Sequence, residues 1–126
     1  MLKKISALVL LPLLLGGCTA NFTNLTPQQQ IRNANNLYPV EVALNSRQQV
    51  MRWDSIKPQI VVNGEFYPMR PTPLMTNRWE GLVPVPPGTS SIQYQYKFDY
   101  LNNAFGGPQP NSAFSRNYNL RVLDSQ

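Results

Sequence analysis

Few side chains in this sequence are equipped for chemistry. There is no histidine, and the one cysteine is Cys18. A nucleophilic serine or cysteine needs an adjacent base, so Ser-His and Cys-His machinery is excluded. Metal binding would fall to carboxylates alone. Six are present: Glu41, Asp54, Glu65, Glu80, Asp99 and Asp124. They fall on separate strand-like or turn-like segments, with no D-x-D or E-x-x-E spacing, although a hydrolytic pair can also meet through the fold. Gly106-Gly107 precedes Pro108 rather than a helix start, so no phosphate-cradling loop is present. The expectation is a protein that is not an enzyme, with no catalytic residue, metal or cofactor, whose acids line solvated strand faces.

Cys18 suits a different chemistry. Lys3 and Lys4 make a basic start, residues 5–15 are almost wholly apolar, and Gly16-Gly17 leads into Cys18. So short a run falls below the about 20 helical residues that cross a bilayer, and residues 1–17 read as a signal peptide. Leu15-Gly16-Gly17-Cys18 resembles the lipobox of bacterial lipoproteins, in which the cysteine is diacylated on sulfur and becomes the first mature residue. The resemblance implies a protein held by lipid on Cys18 in the bacterial cell envelope. Thr19, rather than Asp, after the cysteine resembles the outer-membrane pattern of many Gram-negative bacteria. The other reading is an ordinary signal peptide followed by an unpaired thiol. Loss of Lys3 and Lys4 leaves nine basic residues against six acids, a mature net charge of +3. So small and scattered a charge argues against a nucleic-acid partner, which calls for a basic stripe.

The elements that must carry these residues are strands. Trp79, Gly81, Val83 and Val85 share one parity, and Ile92, Tyr94, Tyr96, Phe98 and Tyr100 share another. Such period-two alternation marks half-buried strands, and Pro86-Pro87-Gly88 turns the chain between them. Upstream, Val40, Val42 and Leu44 alternate with Glu41 and Ala43, and residues 48–53 follow a polar turn at Asn45-Ser46. Asn63-Gly64 between 59–62 and 65–69 is a strong hairpin signal, because both residues tolerate positive φ. Tyr118, Leu120 and Val122 close the chain. Trp53 and Trp79, on strand-like runs, are expected in the core. Residues 101–113, with two glycines and two prolines, read as a loop that leaves Phe105 exposed.

Residues 18–36 are rich in Asn, Gln and Thr and read as the lipidated cysteine and a polar tether. Thr26-Pro27-Gln28-Gln29 suggests a short helix to Ala34, with Thr26 as its N-cap. About seven short strands over residues 37–126 then predict a single immunoglobulin-like β-sandwich. A barrel is the alternative, and the prolines argue for open edges.

Val62-Asn63-Gly64-Glu65-Phe66, Met75, Trp79, Val85-Pro86-Pro87-Gly88 and Tyr94-Gln95-Tyr96-Lys97-Phe98 resemble the early-set immunoglobulin-like modules of the isoamylase N-terminal and glycogen-binding kind. That resemblance implies a sandwich and, as a possible activity, glycan binding through Trp79 and Lys97, the binding residues that match by position. The chain departs from the glycan-binding pattern at Tyr67-Pro68-Met69, where a tryptophan is expected, and at Asp99-Tyr100-Leu101-Asn102-Asn103.

Together these residues point to a lipid-anchored envelope protein that binds or braces a protein partner, with glycan binding as the alternative. Alternating antiparallel strands would put 45–46, 63–64 and 86–89 at one pole and 54–57, 70–76 and 101–113 at the other. The second set, with Phe105, Arg70 and Arg78, is the expected interaction surface. Because the first strand would begin there, the tether, up to roughly 60 Å when extended, would have to bend back.

Overall fold

The computed structural model describes residues 21–46 and 50–124, all of it strand, turn or irregular chain with no helix. The expected signal peptide, Cys18, Thr19 and residues 47–49 lie outside the described residues. Ten strands follow in order: β1 (Asn21–Asn24), β2 (Gln29–Ile31), β3 (Leu37–Asn45), β4 (Met51–Val62), β5 (Glu65–Pro68), β6 (Arg70–Pro71), β7 (Arg78–Pro84), β8 (Ser91–Asn102), β9 (Gln109–Phe114) and β10 (Tyr118–Leu123). They form two sheets packed as a sandwich. One is ordered β1-β3-β7-β6; the other is ordered β2-β10-β8-β4-β5, with β9 also paired to β8.

The period-two pattern decides which side chains meet between the sheets. Ile92, Tyr94, Tyr96, Phe98 and Tyr100 of β8 are all buried, facing Tyr38, Val40, Val42 and Leu44 of β3 and Trp79 and Val83 of β7. Gly81 sits on the same inward row of β7. A Cβ there would lie 2.9 Å from Ile60 Cδ1 and 3.0 Å from the Pro68 carbonyl oxygen, so a side chain would collide with the opposite layer. The Asn63-Gly64 turn has φ of 51° and 80°, the left-handed pair that the hairpin requires.

The expected helix is absent, and two stretches of the expected tether, Asn21–Asn24 and Gln29–Ile31, are strands. β1 pairs antiparallel with β3, from Asn21 opposite Asn45 to Asn24 opposite Val42. The chain then crosses to the other sheet, where β2 pairs parallel with β10. Thr26 does not cap a helix because its hydroxyl has a tertiary use. Its Oγ1 accepts from the Glu41 N–H at 2.8 Å and lies 3.2 Å from the Tyr96 hydroxyl, in a residue only 9% exposed. Asn24 completes this pin: its Nδ2 donates to the Tyr94 hydroxyl at 2.9 Å, and its Oδ1 accepts from the Tyr96 hydroxyl at 2.7 Å. Burial pushes the Tyr96 phenol far above its ordinary pKa.

Two further boundaries differ from expectation. Residues 54–57 are not a connection but part of β4, which advances from Arg52 to Lys57 while β8 moves only from Leu101 to Asp99. Ser55 bridges this bulge, its Oγ donating to the Arg52 carbonyl at 2.6 Å and accepting from the Leu101 N–H at 2.8 Å. Residues 101–113 are not one loop either. β8 runs on to Asn102 and pairs with β9, from Asn102 opposite Gln109 to Lys97 opposite Phe114. Pro110 is tolerated there because β9 is an edge strand.

Candidate functional site

The strand directions define two poles. β1 begins beside the end of β3, so the end of β3, the starts of β4 and β7, and the β8–β9 connection share what we call the entry pole. The far pole holds the Asn63-Gly64 turn, the Pro86–Ser90 region and the end of β10. Merging two expected strands into β4 moves Asn45-Ser46 to the entry pole, beside the two long connections. The same change puts the start of β3 at the far pole.

At the entry pole, Phe105 is 106% exposed, at the tip of the connection after β8. Gly106 and Gly107, at φ 98° and 127°, make that reversal, closed by a bond from the Gly107 N–H to the Ala104 carbonyl at 3.0 Å. Leu74 is 103% exposed in the connection between β6 and β7. Its backbone is left-handed, with φ 66°, a conformation that costs a non-glycine residue about 1–2 kcal/mol. This connection is tied at its base by bonds from Thr72 N–H to the Arg78 carbonyl and from Met75 N–H to the Thr72 carbonyl. The tips are therefore held out by their own turns.

Trp79 and Trp53 are placed differently from one another. Trp79 is 6% exposed, edge-on to Phe98 at 5.0 Å. Trp53, expected in the core, is 40% exposed and lies flat on Trp79 at 6.3 Å, because the β4 bulge turns it to the rim of the sandwich. One face of Trp53 is used for this stack.

The outer faces of the sheets carry the remaining expected site residues. On the four-stranded sheet, Glu41 stands directly opposite Glu80, so two carboxylates that the sequence separates meet on one rung. Arg70 Nη2 holds Glu80 at 3.0 Å, and Thr72 Oγ1 donates to Glu41 at 3.3 Å. Glu41, Glu80 and Arg70 edge an open groove of about 750 Å³, whose apolar lining includes Leu25, Pro27, Pro39 and Leu82. Arg78 begins β7 on the same sheet. On the six-stranded sheet, Lys97 Nζ lies 5.3 Å from the centre of the Phe66 ring and 5.9 Å from that of Phe114. It also pairs with Asp99 at 3.3 Å. A 2.7 Å bond from Ser112 Oγ, aided by Lys97, holds the Asp99 carboxyl below its ordinary pKa.

Phe105, Trp79, Lys97, Arg70 and Arg78 are thus distributed over a loop tip, the interior and two opposite faces, not gathered at one site. Trp79 and Lys97, matched to a glycan site by resemblance, share no open surface. Sequence reasoning passed over Leu74 and the Glu41–Glu80 rung. Leu74 had a signal, an aliphatic residue in an uncharged, proline-led connection; the carboxylate rung had none, since it depends on strand register.

The class defined by this geometry is an all-β two-sheet sandwich. No protein-family model and no curated protein matches the chain. Among solved structures it is similar to a DUF4785 family protein from Legionella pneumophila, with 10% identity and a TM-score of 0.45. That likeness covers 82% of this chain and 28% of the other.

Proposed function

We propose that this chain is a lipid-anchored, non-enzymatic immunoglobulin-like sandwich of the bacterial envelope that binds or braces a protein partner. Leu15-Gly16-Gly17-Cys18 supports the anchor, Thr19 supports the outer membrane, and the lack of histidine supports a binding role. The placement of β1 supports a docking surface away from the loops. Cys18 precedes Asn21, the first residue of β1, by three positions, so lipid on Cys18 would draw the entry pole towards the membrane. The partner surface moves from the loops to the side of the sandwich.

The observation that carries this reading is the groove on the four-stranded sheet. Leu82 is 52% exposed opposite Pro39, and Arg70, Glu80 and Glu41 give the apolar floor a polar margin. An extended protein segment suits such a groove, with apolar contacts for affinity and charges for orientation. A photo-crosslinker at Leu82, compared with ones at Gln93 on the other sheet and at Phe105, tests it in intact envelopes. Capture at 82 alone, of a partner that the purified lipoprotein binds again, is expected. Capture only at Phe105 would return the site to the loops, and specific retention on a glycan array that is lost in Trp79→Ala would favour the glycan alternative. For the anchor, a Cys18→Ser protein that stays membrane-bound at mature size would sink the lipobox reading.

A further inference from the structure

We infer that the entry pole is a membrane-contact face, with Leu74 and Phe105 seated in the headgroup region of the bilayer that holds the anchor. The inference rests on the lipid anchor at Cys18 proposed above and adds an orientation to it. Three observations meet at this pole. First, its two longest connections each end in a fully exposed apolar side chain, and these connections come from opposite sheets. Two such points, with the anchor, define a plane rather than a single contact.

Second, neither connection contains an acid or a base. Residues 72–77 read Thr-Pro-Leu-Met-Thr-Asn, and residues 102–111 read Asn-Asn-Ala-Phe-Gly-Gly-Pro-Gln-Pro-Asn. A tip that enters the interface must leave no charge unpaired, and these tips carry none. Arg52, Arg70 and Arg78 stand further back on the strands, the first two already paired with Asp54 and Glu80. Val50 and Met75, both partly exposed, extend the apolar character of the same end.

Third, the chain reaches this pole from the anchor with no slack. Three residue steps from Cys18 to Asn21 span about 10 Å at full extension. Asn21 is already paired with Asn45 in the sheet. An interfacial apolar residue sits about 5–10 Å into the headgroup and acyl boundary, a depth these tips can reach on so short a link. A protein partner at the same pole would have to fit within that gap, so the bilayer is the occupant that the geometry favours.

The test uses the mature protein, purified from host membranes and reconstituted in vesicles of phosphatidylethanolamine and phosphatidylglycerol. Acylation consumes Cys18, the chain's one cysteine, so a thiol introduced by Leu74→Cys, Phe105→Cys or Asn63→Cys takes a fluorophore alone. Nitroxide-bearing lipids should quench the labels at 74 and 105 and leave the label at 63, on the far pole, bright. Vesicles that do not carry the protein on flotation overturn the anchor and this inference with it. Co-flotation with labels at 74 and 105 as bright as that at 63 overturns this inference alone. Shielding of 74 and 105 in native envelopes but not in pure vesicles would identify a protein at this pole and also overturn it.

Discussion

The two poles close the same pair of sheets in opposite ways. At the far pole the protein satisfies itself. The Arg32 guanidinium donates to the carbonyls of Val85 at 2.9 Å, Pro86 at 3.2 Å and Thr89 at 2.6 Å, tying β2 to the turn before β8. Asn33 and Asn36 form a local turn whose side-chain bonds, Asn33 Nδ2 to the Leu37 carbonyl at 2.7 Å and Asn36 N–H to Asn33 Oδ1 at 2.8 Å, set the start of β3. At the entry pole the turns are closed by backbone bonds, and their largest side chains, Leu74 and Phe105, make no use of the rest of the fold. One end is built for stability. The other leaves apolar side chains exposed.

Substitutions at the poles should therefore separate stability from attachment. The largest effect is expected for Arg32→Ala, which leaves several far-pole carbonyls without their charged donor and should cost about 2–3 kcal/mol in urea unfolding. Its ion pair is not the cause: Asp124 lies 3.8 Å away and is 95% exposed, so Asp124→Asn should change little. A loss in Arg32→Ala no greater than in Asp124→Asn would show that the far pole is not held as described. Next is Asn24→Ala, which removes one partner from each of two buried tyrosine hydroxyls and should cost about 1–2 kcal/mol. Hydrogen exchange should then speed up at residues 21–24, loosening the entry of the chain while the far pole stays protected.

How much of this contrast could be read in the residues alone varies by region. β7, β8, the Asn63-Gly64 turn and the exposure of Phe105 follow from parity and turn chemistry, both local. β1, β2 and β9 do not, because their Asn, Gln and Pro residues give no strand signal of their own. They become strands through distant partners: Asn24 through Tyr94 and Tyr96, β9 through the free edge of β8. The poles were misassigned for a related reason. The Ser55 bulge joins two apparent strands into one, and a single change in strand number reverses the end at which every earlier connection lies. Trp53 was misjudged with it, since the bulge also decides where that ring points.

Acid gives a smaller effect, away from both poles. Because the folded pKa of Asp99 is lowered, chiefly by Ser112 and then by Lys97, its stabilising contribution is present above the unfolded value near pH 4 and is lost as pH falls through the folded one. The Asp99 side chain is 36% exposed, so solvent screening limits this to about 0.5 kcal/mol or less. Asp99→Asn should flatten the acid limb by that amount, and leave the Arg32→Ala difference unchanged. The smallest change in stability is expected for Leu74→Ser and Phe105→Ser, within about 0.5 kcal/mol of the parent, since neither side chain is packed. A clear loss of stability in either would mean that the entry pole serves the fold after all.

Orientation at the membrane is the point on which the comparison of the poles turns, and neutron reflectometry of the acylated protein on a supported bilayer measures it. β8, with its twelve residues, gives the sandwich a long dimension of about 40 Å. The expected profile is a protein layer of about that thickness beginning in the headgroup region, with no water layer beneath it. A hydrated gap between bilayer and protein, or a thinner layer from a sandwich lying on one of its faces, would contradict it.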